Sequence, residues 1–262
     1  MNLIKPKKSL GQNFLHDKNI IDKIIHASNI NSNDEILEVG PGTGNLTELI
    51  ISQNPKKIDV IEKDKNLASI LEEKFLNKIN IITEDILRLP VEFYSRRKFL
   101  ILGNLPYNIS TKILSTWCLN SKLNVSKMIL MFQKEVAERI MADVNSKNYS
   151  RITILSKWKF NIRKVTDVKP NSFFPKPKVH STVLEFTPKK KIHKIEDPKN
   201  LEKVTKVFFS QRRKMIKKPI NILFKNLKFD YKKFNINPSD RPQNLNVDKY
   251  LKIVNEYENL RG

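Results

Sequence analysis

Gly40-Pro41-Gly42-Thr43-Gly44 lies where the apolar run EILEVG at 35–40 gives way to the helix-spaced NLTELIISQ at 45–53. A glycine turn between a strand and a helix lets backbone approach a bound molecule without Cβ obstruction. Asn45 departs from the GxGxxG dinucleotide fingerprint, and no GK[ST] follows to form a phosphate loop. A G-x-G-x-G turn after an acidic strand, here marked by Glu38, suits S-adenosylmethionine instead, which has no phosphate to cradle. Its amino-acid end can pass over Gly40 and Gly42. Glu62 closes the next strand, eighteen residues after Gly44, where a carboxylate can accept both ribose hydroxyl hydrogens. Asp85 closes the third strand, where it can receive the adenine amino group. Singly, each acid reads as a solvated strand end. As a set on successive strands they mark the edge at which open α/β sheets bind ligands.

The fourth strand runs into Asn104-Leu105-Pro106-Tyr107. Methyl transfer to an exocyclic amine meets an electronic obstacle, because the nitrogen lone pair is delocalised into the ring. The amide oxygen of Asn104 and the carbonyl of Leu105 can accept the two amine hydrogens, favouring a pyramidal nitrogen. Pro106 stiffens the turn, and Tyr107 offers a stacking face for a flipped base.

The elements that must position these residues follow from periodicity. Strands are predicted at 35–40, 57–62, 79–83, 99–103 and 127–132. Helices are predicted at 45–53, 65–77, 110–119, 134–143 and 150–158. The alternation argues for a parallel sheet covered on both faces. Two extended stretches follow, at 161–168 and 181–186, joined by the stiff PNSFFPKPK. PKKKIHKIEDPK at 188–199 reads as a polar linker. Beyond it, Leu201, Val204, Val207 and Phe208 share a helical face, and Pro219, Pro238 and Pro242 are expected to break the region into short pieces. The division is therefore a main α/β domain over 1–187 and a small basic helical domain over 188–262.

Composition narrows the class. Of 262 residues 39% are hydrophobic and 29% charged, so a packed core is expected and general disorder is not. Only six glycines occur, and three of them fall in the turn at 40–44. The net charge of +22 points to a polyanionic partner. It is unevenly spread: residues 1–180 and residues 181–262 each carry a net +11, so charge density doubles in the shorter part. No secretory signal or membrane span is read, and the lone Cys118 fits a reducing cytoplasm. The four histidines and Cys118 have no metal-ligand spacing, so no metal site is expected.

Eight segments in order resemble the ribosomal RNA adenine dimethyltransferase family: KKSLGQNFL at 7–15, EVGPGTGNLT at 38–47, the acid at Glu62, EDIL at 84–87, GNLPYNIS at 103–110, MFQKEVAERI at 131–140, FFPKPKV at 173–179 and QRRK at 211–214. The resemblance implies a Rossmann-like S-adenosylmethionine-dependent methyltransferase domain, with a mostly parallel seven-stranded sheet and an all-helical C-terminal domain. It implies dimethylation of the N6 amines of two adjacent adenosines in the 3′-terminal hairpin of 16S ribosomal RNA. Gln12, Asn13 and Leu15 are expected at the cofactor, with Gly40, Gly42, Glu62, Asp85 and Asn104. Phe174 is expected to sandwich the target base against Tyr107. Arg212, Arg213 and Lys214 are expected on RNA phosphates. A monomer acting on a partly assembled small subunit, with a role in its biogenesis, completes the implied picture.

Three other readings stand beside it. One is a related enzyme modifying a single adenine in large-subunit RNA. Another is DNA adenine or protein glutamine methylation, against which Leu105 speaks because the usual motif has Pro-Pro-Tyr. The third is an assembly factor whose binding matters more than its catalysis.

Overall fold

A computed structural model describes residues 6–7, 10–225, 227 and 229–260. Lys8 and Ser9 of the KKSLGQNFL segment, and Gly262, lie outside the described residues. The elements in chain order are β1 (Phe14–Leu15), α1 (Lys18–Ser28), β2 (Glu35–Val39), α2 (Asn45–Ser52), β3 (Lys57–Ile61), α3 (Lys65–Phe75), β4 (Asn80–Ile82) and β5 (Phe99–Asn104). Then follow α4 (Ser110–Leu119), β6 (Val125–Gln133), α5 (Lys134–Met141), α6 (Arg151–Lys159), β7 (Phe160–Val168), β8 (Phe173–Phe174) and β9 (Ser181–Pro188). The last three helices are α7 (Pro198–Ser210), α8 (Lys217–Phe224) and α9 (Val247–Asn259).

Seven strands form one sheet in the order β4-β3-β2-β5-β6-β9-β7. The β4-β3, β3-β2, β2-β5 and β5-β6 pairs are parallel, and β9 runs antiparallel to β6. The central strands are apolar on both faces, as a doubly covered sheet requires: Ile36, Leu37, Val39 and every residue from Phe99 to Leu102 are buried. Strand order reverses between β2 and β5, so a crevice opens at their carboxyl ends. Those ends carry the glycine turn and Asn104-Leu105-Pro106-Tyr107.

Helix α1 starts because the Asp17 side chain accepts the Ile20 N–H, and it stops at Asn29 in the left-handed region (φ 52°). Its Ile20, Ile21, Ile24 and Ile25 join Leu100, Leu102 and Ile129 in one apolar cluster. A second, two-stranded sheet pairs β1 with β8, setting Phe14 opposite Phe174 and Leu15 opposite Phe173.

The chain separates into two compact units, 1–116 with 122–137 and 161–188, and 117–121 with 138–160 and 189–262. A single cut at 187/188 does not coincide with this division, because α6 packs on α7 and α9. The 188–199 stretch is not a loose linker. The Trp158 indole N–H donates to the His193 carbonyl (2.9 Å), and the Glu258 carboxylate accepts the N–H groups of Glu196 and Asp197 (3.1 and 3.0 Å). Pro219 does not break a helix either: it falls in the first turn of α8, where its missing N–H costs no intrahelical bond. On α7 the buried set is Leu201, Val204, Thr205 and Phe208, with Val207 only half-buried. No helix among the described residues is long and apolar enough to cross a membrane.

Candidate active site

The crevice at the carboxyl ends of β2 and β5 is a cleft open to solvent, with a cavity of about 170 Å³. Gln12, Asn13, Leu15, Gly40, Gly42, Glu62, Asp85, Asn104, Leu105, Pro106 and Tyr107 all line it. Residues distant in sequence are thus brought to one place by the ends of four strands, β2, β3, β4 and β5, and by the segment before α1.

The glycine turn earns its composition partly from protein packing. Gly42 has φ +59°, and a Cβ there would lie 2.7 Å from Phe14 Cδ1. At Gly44 (φ +80°), which caps α2, a Cβ would lie 2.6 Å from the Phe75 ring and 2.8 Å from Leu71. These glycines let the turn close against β1 and α3, a role the sequence reading assigned to ligand approach alone. The segment from Gln12 to Leu15 is tied down from three directions. The Asn45 side chain donates to the Leu15 carbonyl (2.8 Å), Asn104 Nδ2 donates to the Asn13 carbonyl (2.9 Å), and Gln12 Nε2 donates to Asp64 (3.0 Å). Gln12 Oε1 also accepts the Lys7 N–H (2.7 Å), so both polar ends of this amide are held by protein.

The acids differ in state. Glu38 is fully buried, and burial, reinforced by the neighbouring Glu62, pushes its carboxyl up to about 8. Its Oε2 makes no hydrogen bond to the described residues, although the residue lies in the cleft wall. Burial also pushes the Glu62 carboxyl up, against the hydrogen bond it accepts from the Asp64 N–H (2.8 Å). Asp85 goes the other way. Burial raises it, but the Leu87 N–H (3.0 Å) and Lys63 (2.9 Å) outweigh that and hold its carboxyl below the usual range.

At the far side, the donation to Asn13 fixes the Asn104 amide, so its Oδ1 remains as the acceptor. Tyr107 is half-buried, and its hydroxyl bonds the buried Ser181 hydroxyl at 2.6 Å. Phe174 does not line the cleft. It is 60% exposed, joined to the site through β1, where its strand partner Phe14 does line it.

Arg212, Arg213 and Lys214 belong to the helical unit, in the turn after α7. Arg213 and Lys214 are exposed. Arg212 is half-buried and donates to the Lys147 carbonyl, so part of its guanidinium is already engaged.

The sequence reading missed Asp64, Ser181 and Asn45. Asp64 had a signal, since an aspartate directly before a helix is a favoured N-cap, and it accepts the Asn66 N–H at 3.1 Å. The Ser181 and Asn45 contacts span 74 and 30 residues and leave no local trace.

The family model described as ribosomal RNA adenine dimethylase matches residues 4–259. The ribosomal RNA small subunit methyltransferase A of Pelagibacter ubique (strain HTCC1062) is 54% identical, over 99% of this chain and 99% of that protein. The protein of the same name from Wolbachia sp. subsp. Drosophila simulans (strain wRi) is 37% identical, over 98% and 96%. Among solved structures, a dimethyladenosine transferase from Plasmodium falciparum superposes with a TM-score of 0.80 at 29% identity, covering 94% of this chain and 98% of that one.

Proposed function

Because the chain belongs to the ribosomal RNA adenine dimethylase family, we propose that it dimethylates the N6 amines of two adjacent adenosines in the 3′-terminal hairpin of 16S ribosomal RNA. The observation that carries this reading is the placement of Asn104-Leu105-Pro106-Tyr107 in the same cleft as the glycine turn and Glu62.

The cleft fits S-adenosylmethionine. Glu38, with one oxygen unpartnered among the described residues, lies in its wall and can hydrogen-bond a polar group of the ligand, and Glu62 offers acceptor oxygens to ribose hydroxyls. Gln12, Asn13, Leu15, Gly40, Gly42, Glu62, Asp85 and Asn104 would hold it. Bound there, it supplies an electrophilic methyl group.

The chain's own residues then have to place the amine. Asn104 Oδ1 and the Leu105 carbonyl accept the two amine hydrogens and steer the lone pair out of conjugation. Tyr107, braced by Ser181, stacks on the flipped adenine, and the exposed Phe174 ring covers its other face. Catalysis is positioning together with electrostatic stabilisation of the charge that develops on the amine. The proton departs to solvent, so no side chain need act as nucleophile or base. In the second transfer one amine hydrogen is gone, and one of the two acceptors is released.

Arg213 and Lys214, with Arg212, contact RNA phosphates and set the orientation of the substrate without reading its sequence. The substrate is a partly assembled small subunit in the cytoplasm, approached by a monomer, and residues 188–262 serve its binding. Methyl transfer to unmethylated small subunits, with the modified nucleosides identified, tests the reading.

A further inference from the structure

Ahead of β1, Lys7 and Gln12 converge on one carboxylate that the methyl-transfer chemistry does not use. Asp64 is 4% exposed and stands two residues beyond Glu62. Its Oδ1 accepts Lys7 Nζ at 2.7 Å and its Oδ2 accepts Gln12 Nε2 at 3.0 Å. The same residue caps α3 by accepting the Asn66 N–H at 3.1 Å, and its own backbone N–H donates to Glu62 Oε1 at 2.8 Å. Gln12 closes a ring, because its Oε1 accepts the Lys7 N–H at 2.7 Å. Burial works against ionisation of Asp64, but the bonds from Lys7 and Gln12 win and keep its carboxyl below the usual range.

A single residue therefore does three things at once. It starts the helix after Glu62, orients the Glu62 carboxylate through the peptide between them, and anchors the segment that covers the cleft wall at Gln12 and Asn13. We infer that Asp64 is a positioning residue that couples docking of Lys7 and of residues 10–13 to the cofactor-binding geometry of Glu62. This rests on the reading of the cleft as the S-adenosylmethionine site. The segment would act as a clasp: Lys7 and Gln12 reach across to Asp64, and the far side is held by Asn104 on the Asn13 carbonyl. Loosening the clasp should be felt as weaker cofactor retention and not as slower transfer.

Asp64→Asn separates the clasp from the cap. Asparagine caps helices as well as aspartate does, so α3 keeps its start. The amide loses the charge that Lys7 pairs with and one of the two acceptors. The test measures S-adenosylmethionine affinity by calorimetry, KM and kcat on unmethylated small subunits, and protease cleavage within residues 10–13. For Asp64→Asn the expected result is about tenfold weaker affinity and higher cofactor KM, with kcat within about twofold, faster cleavage of the segment and an unchanged melting temperature. That change is about 1.4 kcal/mol. Gln12→Ala should weaken affinity by a similar factor, and the double variant should be little worse than either single one. Wild-type affinity and cleavage rate in Asp64→Asn would overturn the inference, as would additive losses in the double variant or a fall in kcat alone. Asp64→Ser, which keeps a capping oxygen, should behave like Asp64→Asn; a far larger loss of stability in either would assign the residue to capping. Failure of the wild-type protein to bind S-adenosylmethionine would instead sink the reading of the cleft.

Discussion

Gly42→Ala should damage the site from its floor. The backbone at Gly42 has φ +59°, and holding an L-residue in the left-handed region costs about 1–2 kcal/mol. The added Cβ would lie 2.7 Å from Phe14 Cδ1, so something must move. Phe14 cannot swing away freely: it is 8% exposed and its strand is paired to β8. Forced overpacking of this kind costs about 1–3 kcal/mol more. The expected destabilisation is therefore about 2–5 kcal/mol, read from urea unfolding, with weakened S-adenosylmethionine binding by calorimetry. Displacement of Phe14 also shifts the strand partner of Phe174, so transfer to RNA should suffer beyond the cofactor defect. Measured against Phe14→Leu alone, Gly42→Ala should cost only the backbone part, about 1–2 kcal/mol. A Gly42→Ala protein within about 0.5 kcal/mol of wild type, the range of an inconsequential surface change, would refute the reasoning.

Three further outcomes can be checked. Glu38 has its carboxyl raised to about 8 from an ordinary 4.5, so the folded protein holds a proton that the unfolded chain gives up. Stability should then fall as pH rises from about 5 to 8, by up to about 1.4 kcal/mol per pH unit, and Glu38→Gln should remove that slope in pH-dependent urea titrations. Tyr107→Ala should reduce kcat on small subunits at least tenfold while changing cofactor affinity less than threefold, whereas Tyr107→Phe, losing only the 2.6 Å bond to Ser181, should cost roughly the ~1 kcal/mol of one hydrogen bond. Arg213→Ala and Lys214→Ala should each lower RNA affinity for any sequence and reduce the salt slope by about one, measured by filter binding across ionic strengths; a loss that ignores salt would place them elsewhere.

Much of the sheet was legible because its strands are continuous apolar runs between turn residues. The predicted 57–62 and 99–103 became Lys57–Ile61 and Phe99–Asn104, and the predicted helix at 110–119 became Ser110–Leu119. Glu62, Asp85 and Asn104 could be picked out because topology forces successive parallel strands to end at one edge. What stayed hidden depends on distance along the chain. The β1–β8 pair has two residues per strand, and its partners lie some 160 residues apart, so no periodicity announces it. The Tyr107–Ser181 bond is of the same kind. Helix α1 is different: the Asp17 cap and the spacing of Ile20, Ile21, Ile24 and Ile25 were present in the sequence and went unread. The 188–199 stretch looked like a linker because it is polar, yet its fixation comes from backbone groups meeting Glu258, which composition does not reveal.

The central claim is best tested by methyl transfer itself. Purified protein, labelled S-adenosylmethionine and small subunits from cells lacking this modification are combined, and the RNA is digested and its nucleosides identified. Label should appear as N6,N6-dimethyladenosine at two adjacent positions of the 3′-terminal hairpin of 16S RNA. Label confined to large-subunit RNA, to another base, or absent despite cofactor binding would contradict the account.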